Sequence, residues 1–331
     1  MPATMMKNFA YAKASSLSEA ENWANATVAD ISNGGGTIAK STVLKAGGVD
    51  LLDLMKERIA EPDRVVAIHR LSGNDRIQGQ QMGFLVTLAQ IAEDATIARN
   101  YPALQQAAEH AATPQVRRMA TLGGNLMQRP RCPYFRSEHH LCLKKGGDTC
   151  FALTGPSELH AIFNNATCAF VQASSIATAL LAFDAQVITT RREIPLSEFF
   201  VTPDEDISRE NVIDAGEIIT AVRLSQANRV SAYQKTTPRD SYDWALVDVA
   251  ISAVKSGSGL SDYRVVLGAV GPKPMRASAV EKLLNNKRLT PDLMRQAGEL
   301  ATRGATPLTG NAYKIPMLAA TVRHVLEKLA N

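Results

Sequence analysis

The chain has 331 residues, 45% of them hydrophobic, with 36 basic and 32 acidic side chains and a net charge of +4. That length predicts two or three domains, and the apolar fraction supports a full core. No lysine or arginine block suggests nucleic acid, no apolar run is long enough to span a membrane, and the start, MPATMMKNFAYAKASS, lacks the charged and apolar regions of a secretory signal. A cytoplasmic site of folding follows, while export as part of a folded complex would leave no mark.

Residues 16–26 read as a short helix, with Ser16 and Glu19 at capping-box spacing. A glycine-rich turn follows at 33–37, then a strand at 42–46. Gly47-Gly48-Val49-Asp50 leads into a helix over 51–57. Strand, glycine turn and helix together bring backbone N–H groups onto a phosphate. Glycine has no Cβ to block that approach. An ordinary turn with a Gly pair has the same look, and this is not a Walker loop, because no Gly-Lys-Ser/Thr follows. Residues 64–68 form a strand and 86–93 a helix, with Thr87 and Gln90 again at capping-box spacing. A helix over 102–112 places Leu104, Ala107, Ala108 and Ala111 in a core. Ala120-Thr121-Leu122-Gly123-Gly124-Asn125 is a second Gly-Gly turn, and two such turns can cradle one pyrophosphate from two sides.

All four cysteines come next, spaced Cys132-x9-Cys142-x7-Cys150-x17-Cys168. Pro133, Gly146, Gly147 and Pro156 break regular structure between them, which reads as a long loop. Soft thiolates gathered this way suit zinc or an iron–sulfur cluster. Arg129, Arg131, Lys144 and Lys145 are placed to offset the negative charge of such a centre. Two disulfides, in any of three connectivities, or four unrelated thiols fit the same spacing. The absence of a Cys-x-x-Cys knuckle counts against a structural zinc site. His139, His140 and His160 lie in the loop as well, and read as solvent or hydrogen-bonding residues.

Beyond the loop a helix is expected at 174–183 and strands at 186–190 and 217–224, with a domain break at 225–228. Strands at 230–235, 244–254 and 263–270, joined by short turns, predict an antiparallel sheet. Helices at 277–285, 291–302 and 316–330 finish the chain, Thr290-Pro291 being a good helix start. No general base or nucleophile stands out.

Lys45-Ala46-Gly47-Gly48-Val49-Asp50-Leu51 resembles the first FAD loop of the flavoprotein subunit of the xanthine oxidase and molybdenum hydroxylase family, and 120–125 resembles the second. Tyr233-Gln234-Lys235, followed by Arg239 and Trp244-Ala245, is similar to the segment whose lysine lies near the flavin. Asn311-Ala312-Tyr313-Lys314-Ile315-Pro316 resembles the family's C-terminal domain. Val49 stands where the family commonly has Thr, and Ser174-Ser175 where it usually has Ser-Asp. The resemblance implies a mixed α+β and α/β architecture. A PCMH-like FAD-binding fold of two subdomains occupies 1–224, and an antiparallel sheet with helices, like the CO dehydrogenase flavoprotein C-terminal domain, occupies 229–331. It implies FAD contacts from Lys45, Ala46, Gly47, Gly48, Val49, Asp50, Leu51, Thr121, Gly124, Asn125, Ser174 and Ser175, with Lys235 orienting the flavin side.

The cysteine loop, about 126–170, narrows the likeness. Arg131-Cys132-Pro133-Tyr134-Phe135, Cys142-Leu143-Lys144-Lys145-Gly146-Gly147, Cys150 and His160-Ala161-Ile162-Phe163 resemble the bacterial aldehyde oxidoreductase branch. That likeness implies a [4Fe–4S] cluster on Cys132, Cys142, Cys150 and Cys168. It also implies a large molybdopterin subunit that oxidises an aldehyde and a small subunit with [2Fe–2S] clusters, from which electrons pass through FAD to an external acceptor. Three alternatives stand beside it: a standalone flavin oxidase of the vanillyl-alcohol oxidase type, the flavoprotein subunit of a hydroxybenzoyl-CoA reductase, and a metal-stabilised scaffold with no enzymatic role.

Overall fold

A computed structural model describes residues 6–32, 38–225, 229–240, 242–256 and 259–330. The glycine-rich turn expected at 33–37 lies outside these residues, as do positions 226–228 of the expected break.

Three sheets organise the chain. The first holds β1 (Ala10–Lys13), β2 (Thr42–Lys45) and β3 (Arg64–Ala67), all parallel, in the order β1-β3-β2. Parallel neighbours need crossovers, and the helices Leu17–Trp23 and Val49–Lys56 lie in these connections. Val43, Val65 and Val66 are fully buried, as β-branched residues on a small covered sheet should be. The second sheet is antiparallel throughout. It orders β4 (Ile77–Gln78), β5 (Gln81–Gly83), β6 (Gln186–Thr189), β7 (Glu193–Pro195) and β8 (Ile219–Arg223) as β4-β5-β8-β6-β7. The chain between β5 and β6 supplies a helical layer, including Leu88–Glu93 and Pro102–Glu109, and the cysteine loop.

The third sheet runs antiparallel through β9 (Val230–Thr236), β10 (Val247–Ser256), β11 (Gly259–Gly268) and β12 (Met275–Arg276) in the order β12-β11-β10-β9. Strand alternation sends Val249, Ile251 and Val265 into a core with Leu318, Val322 and Val325 of the helix Lys314–Ala330. Ala250, Val266 and Tyr233 point the other way, into the core shared with Leu104 and Ile176. The C-terminal sheet therefore closes against the helical layer that follows β5 as well as against its own helices. The antiparallel arrangement is as expected.

Several expectations change in detail. β10 starts at Val247 instead of 244, which frees 242–245 from the ladder, while the Leu246 N–H still donates to Thr236 O. The helix after the first glycine pair starts at Val49, two residues earlier than expected. The second Gly-Gly stretch is not an open turn but a short helix, Leu122–Leu126, capped by Thr121. Ser16 caps its helix, yet Glu19 accepts from the Ser15 N–H at 2.6 Å in place of Ser16, so only half of that capping box forms. The box at Thr87 and Gln90 is complete. No described helix is long and apolar enough to cross a membrane.

Candidate functional site

A cavity of about 410 Å³ opens between the first sheet, the helix Leu122–Leu126 and the C-terminal sheet. That is the size of ligand sites in general. A second cavity of about 160 Å³ continues from it, sharing Val28, Leu44, Ala46, Gly124 and Met127 in its walls. Lys45, Ala46, Gly47, Gly48, Val49, Asp50, Leu51, Thr121, Gly124, Asn125, Ser175 and Lys235 all line the larger one.

The two glycine stretches contribute in different ways. Gly48 sits at φ +81°, caps the helix Val49–Lys56 without a side-chain bond, and turns the chain sharply off β2. No described residue accepts from the N–H groups of Gly48, Val49, Asp50 or Leu51. These are the orphan donors of a helix N-terminus, at the positive end of its dipole. The second stretch has most of its own already spent. The Leu122 N–H is bonded to Val86 O, Gly123 to Phe84 O, Gly124 to Thr121 Oγ1 and Asn125 to Thr121 O. The expectation that both stretches present backbone N–H groups is thus narrowed in the second to Thr121, whose N–H no described residue accepts. Beyond that it offers the bare Cα face of Gly124 and the side chain of Asn125. Gly47 is where the two meet: a Cβ there would lie 1.8 Å from the Met119 carbonyl oxygen.

Ser174 does not line the cavity. Its hydroxyl donates to Asn125 Oδ1 at 2.5 Å and accepts from the Ala177 N–H at 3.0 Å, so it stands behind Asn125 and caps the helix Ser175–Leu181. Lys235 donates to the His110 carbonyl at 2.9 Å, and burial holds its pKa below the usual lysine value. Beneath it Tyr233 donates to the buried Asp248 at 2.8 Å. Burial raises the Asp248 pKa against hydrogen bonds from Tyr233, Ser175 and Thr178. The half-exposed Tyr242 and Trp244 close one rim of the cavity.

Asp50 lines the wall, but its carboxylate is already held. It accepts from the Arg129 N–H at 2.9 Å and pairs with Arg131 and Arg136, each at 2.7 Å. The reading of Asp50 as a cofactor contact is therefore corrected for its side chain: only its N–H remains to give.

The cysteine loop wraps the far side of the same helix. Cys132, Cys142, Cys150 and Cys168 are free and line one small cavity walled by Phe135, Phe151 and Phe170. Backbone N–H groups aim at the sulfurs: Tyr134 and Phe135 at Cys132, Ala152, Leu153 and Ala169 at Cys150, Phe170 at Cys168. Burial pushes the Cys132 thiol up to about 11. A hydrogen bond from Cys168 brings Cys150 down, and the same bond, with burial, pushes Cys168 up. His160 Nε2 lies 3.2 Å from Cys132 Sγ. Among the described residues no group of three or more His, Cys, Asp and Glu side chains is arranged to hold a single metal ion.

The four basic residues divide. Arg131 is spent on Asp50 and Asp53. Arg129 and Lys144, both buried, share one acid, Glu210, at 3.0 and 2.6 Å. Lys144 sits close enough to Cys168, and Lys145 to Cys142 and Cys132, for the charges to act on one another. Burial lowers the pKa of both lysines.

Residues 7–226 match the family described as the FAD binding domain in molybdopterin dehydrogenase, and 231–328 match the CO dehydrogenase flavoprotein C-terminal domain. The chain belongs to the FAD-binding subunits of the xanthine oxidase family of molybdenum hydroxylases. This FAD-binding subunit is 34% identical over 294 residues to the aldehyde oxidoreductase FAD-binding subunit PaoB of Escherichia coli (strain K12), covering 85% of this chain and 89% of that one. It is 25% identical over 301 residues to the carbon monoxide dehydrogenase medium chain of Hydrogenophaga pseudoflava, covering 88% and 90%. Among solved structures, carbon monoxide dehydrogenase from Hydrogenophaga pseudoflava superposes with a TM-score of 0.72 over 98% of both chains at 22% identity. Quinoline 2-oxidoreductase from Pseudomonas putida 86 also reaches 0.72, over 99% of this chain and 98% of that one, at 21% identity. Both structural likenesses show the fold. The FAD-binding subunit holds wall residues that sequence reasoning left out, among them Ala111, Ala112, Gln128 and Tyr242. Only folding brings these to the cavity.

Proposed function

We propose that this chain is the FAD-carrying electron-transfer subunit of a molybdenum-containing aldehyde oxidoreductase, working beside a molybdopterin-binding large subunit and a [2Fe–2S] small subunit, with residues 1–224 as its FAD unit and 229–331 as its C-terminal unit. One observation carries the flavin half: every expected FAD residue but Ser174 lines a single cavity onto which four unspent N–H groups open. The 34% identity to an aldehyde oxidoreductase subunit favours an aldehyde as the complex's substrate. FAD, when bound, supplies the ability to take electrons singly and release them in pairs. The chain's own residues do the holding. The N–H groups of Gly48 to Leu51 bind the diphosphate, Gly124 leaves room for it, and Ser174 fixes the Asn125 amide that faces it. Lys235, fixed by the His110 carbonyl, sets a cation beside the flavin ring.

The cysteines hold a [4Fe–4S] cluster in this reading. Four thiols around one cavity, N–H groups aimed at sulfur, and buried lysines in excess of their one acid all favour an anionic thiolate centre. Cys132, Cys142, Cys150 and Cys168 would hold such a cluster, which would supply a one-electron carrier. The test is purification with the partner subunits, followed by FAD analysis, iron analysis and a visible spectrum. Aldehyde oxidation at the full rate by this chain and FAD alone would contradict the subunit role.

A further inference from the structure

The first turn of the helix Val49–Lys56 carries a contradiction that the cysteine loop resolves. Its open N–H groups favour an anion, yet Asp50 sits in that same turn and Asp53 one turn on, both in the cavity wall. Two carboxylates there oppose a diphosphate, because like charges repel most where water is partly excluded. Arg131 and Arg136 answer them. Arg131 reaches Asp50 at 2.7 Å and Asp53 at 3.1 Å, and Arg136 makes the same two contacts at 2.7 and 3.1 Å. Both guanidiniums thus bridge both carboxylates, and the four charges sum to zero. Glu57 lies beyond, its pKa raised by burial and by Asp53.

The arginines belong to the cysteine loop, and Arg136 is bound tightly into it. Its Nε donates to Pro130 O at 2.8 Å, its Nη2 to Arg129 O at 3.1 Å, and its backbone N–H to Cys132 O at 2.9 Å. Arg131 also lies over the Trp244 ring, 4.5 Å from its centroid, at the cavity rim. Arg136 itself does not line the cavity.

We infer that Arg131 and Arg136 are positioning residues for FAD: by neutralising Asp50 and Asp53 they leave the helix N-terminus free to hold the diphosphate, and they make FAD affinity depend on an ordered cysteine loop. The inference rests on the FAD reading above. Arg136, lying behind the wall, isolates the charge effect from any direct contact.

The experiment strips FAD from the purified complex and titrates FAD back, following flavin fluorescence, with iron measured for each variant. Arg136→Met should raise the Kd about tenfold at low salt. Adding Asp53→Asn to that variant should recover most of the loss, and raising the salt should narrow the gap to wild type. Wild type that takes up no FAD overturns the FAD reading itself. Wild type that binds FAD, with Arg136→Met binding equally well, overturns this inference alone. So does a defect that neither Asp53→Asn nor salt relieves, since that marks a damaged fold instead of an unbalanced charge. Should Arg136→Met fail to fold, Asp53→Asn in the wild-type background leaves arginine charge in excess and should lower the Kd about threefold. An unchanged or raised Kd in that variant overturns the inference.

Discussion

Gly47 and Gly124 both belong to glycine pairs, yet substitutions at the two should fail in opposite ways. A Cβ at Gly47 would lie 1.8 Å from the Met119 oxygen and 2.9 Å from its carbonyl carbon. Ordinary contact begins near 3.4 Å, so the two loops must part by roughly 1.5 Å, and the opposing atoms are backbone that no rotamer change can move. Overpacking of that kind costs about 3 kcal/mol. For a domain of this size that lowers Tm by roughly 6–12 °C. Gly47→Ala should therefore destabilise the FAD-free protein and lose FAD with it. At Gly124 a Cβ meets only Thr121 Oγ1, at 3.0 Å, and otherwise faces the cavity. Gly124→Val should keep the FAD-free Tm close to wild type while the flavin is excluded. The assay is a thermal melt of FAD-stripped protein beside FAD content after reconstitution. A wild-type Tm for Gly47→Ala, or full FAD content in Gly124→Val, would refute the reasoning.

Two further predictions concern buried charge. Glu210→Gln leaves Arg129 and Lys144 without their shared acid, all three being buried, and should cost about 3 kcal/mol in denaturant unfolding; a loss below about 1 kcal/mol would mean that another anion balances them. Lys314 is fully buried and, among the described residues, donates only to the Ala269 carbonyl, and burial pulls its pKa from 10.5 down to about 7. Between those values the unfolded chain keeps a proton that the folded chain has lost, so this lysine makes stability rise with pH across that window. Lys314→Met should remove the rise, and the difference in unfolding free energy between wild type and variant, measured from pH 7 to 10, should climb in favour of wild type; a flat difference would contradict the assignment.

Local chemistry was legible in the sequence where a single residue decides it. Thr87, Thr290 and Ser16 cap helices because their hydroxyls reach an N–H three residues on. The alternation of β10 and β11 announced a two-faced antiparallel sheet. The Leu122–Leu126 helix was not legible, since two glycines in five residues argue against helix, and the ties to Phe84 and Val86 hold it together with the Thr121 cap. Strands of two or three residues, such as β4 and β12, carry no period to read. The same limit applies to the site. The glycine pairs and cysteines announced themselves, but the fate of the Asp50 carboxylate depends on Arg131 and Arg136, far along the chain, and no local pattern records that pairing.

Iron and FAD, each counted per copy of the subunit in the purified complex, wild type against Cys150→Ser, test most directly whether one subunit carries both a flavin and a cluster. The thiol of Cys150 receives N–H groups from three residues and faces Cys168, so its loss should empty the site. Roughly four iron atoms per copy of the subunit should disappear, with their visible absorption. FAD retention should fall as well, because the arginines that balance Asp50 and Asp53 stand in the loop that loses its order with the cluster. Iron per copy of the subunit unchanged from wild type would contradict the account.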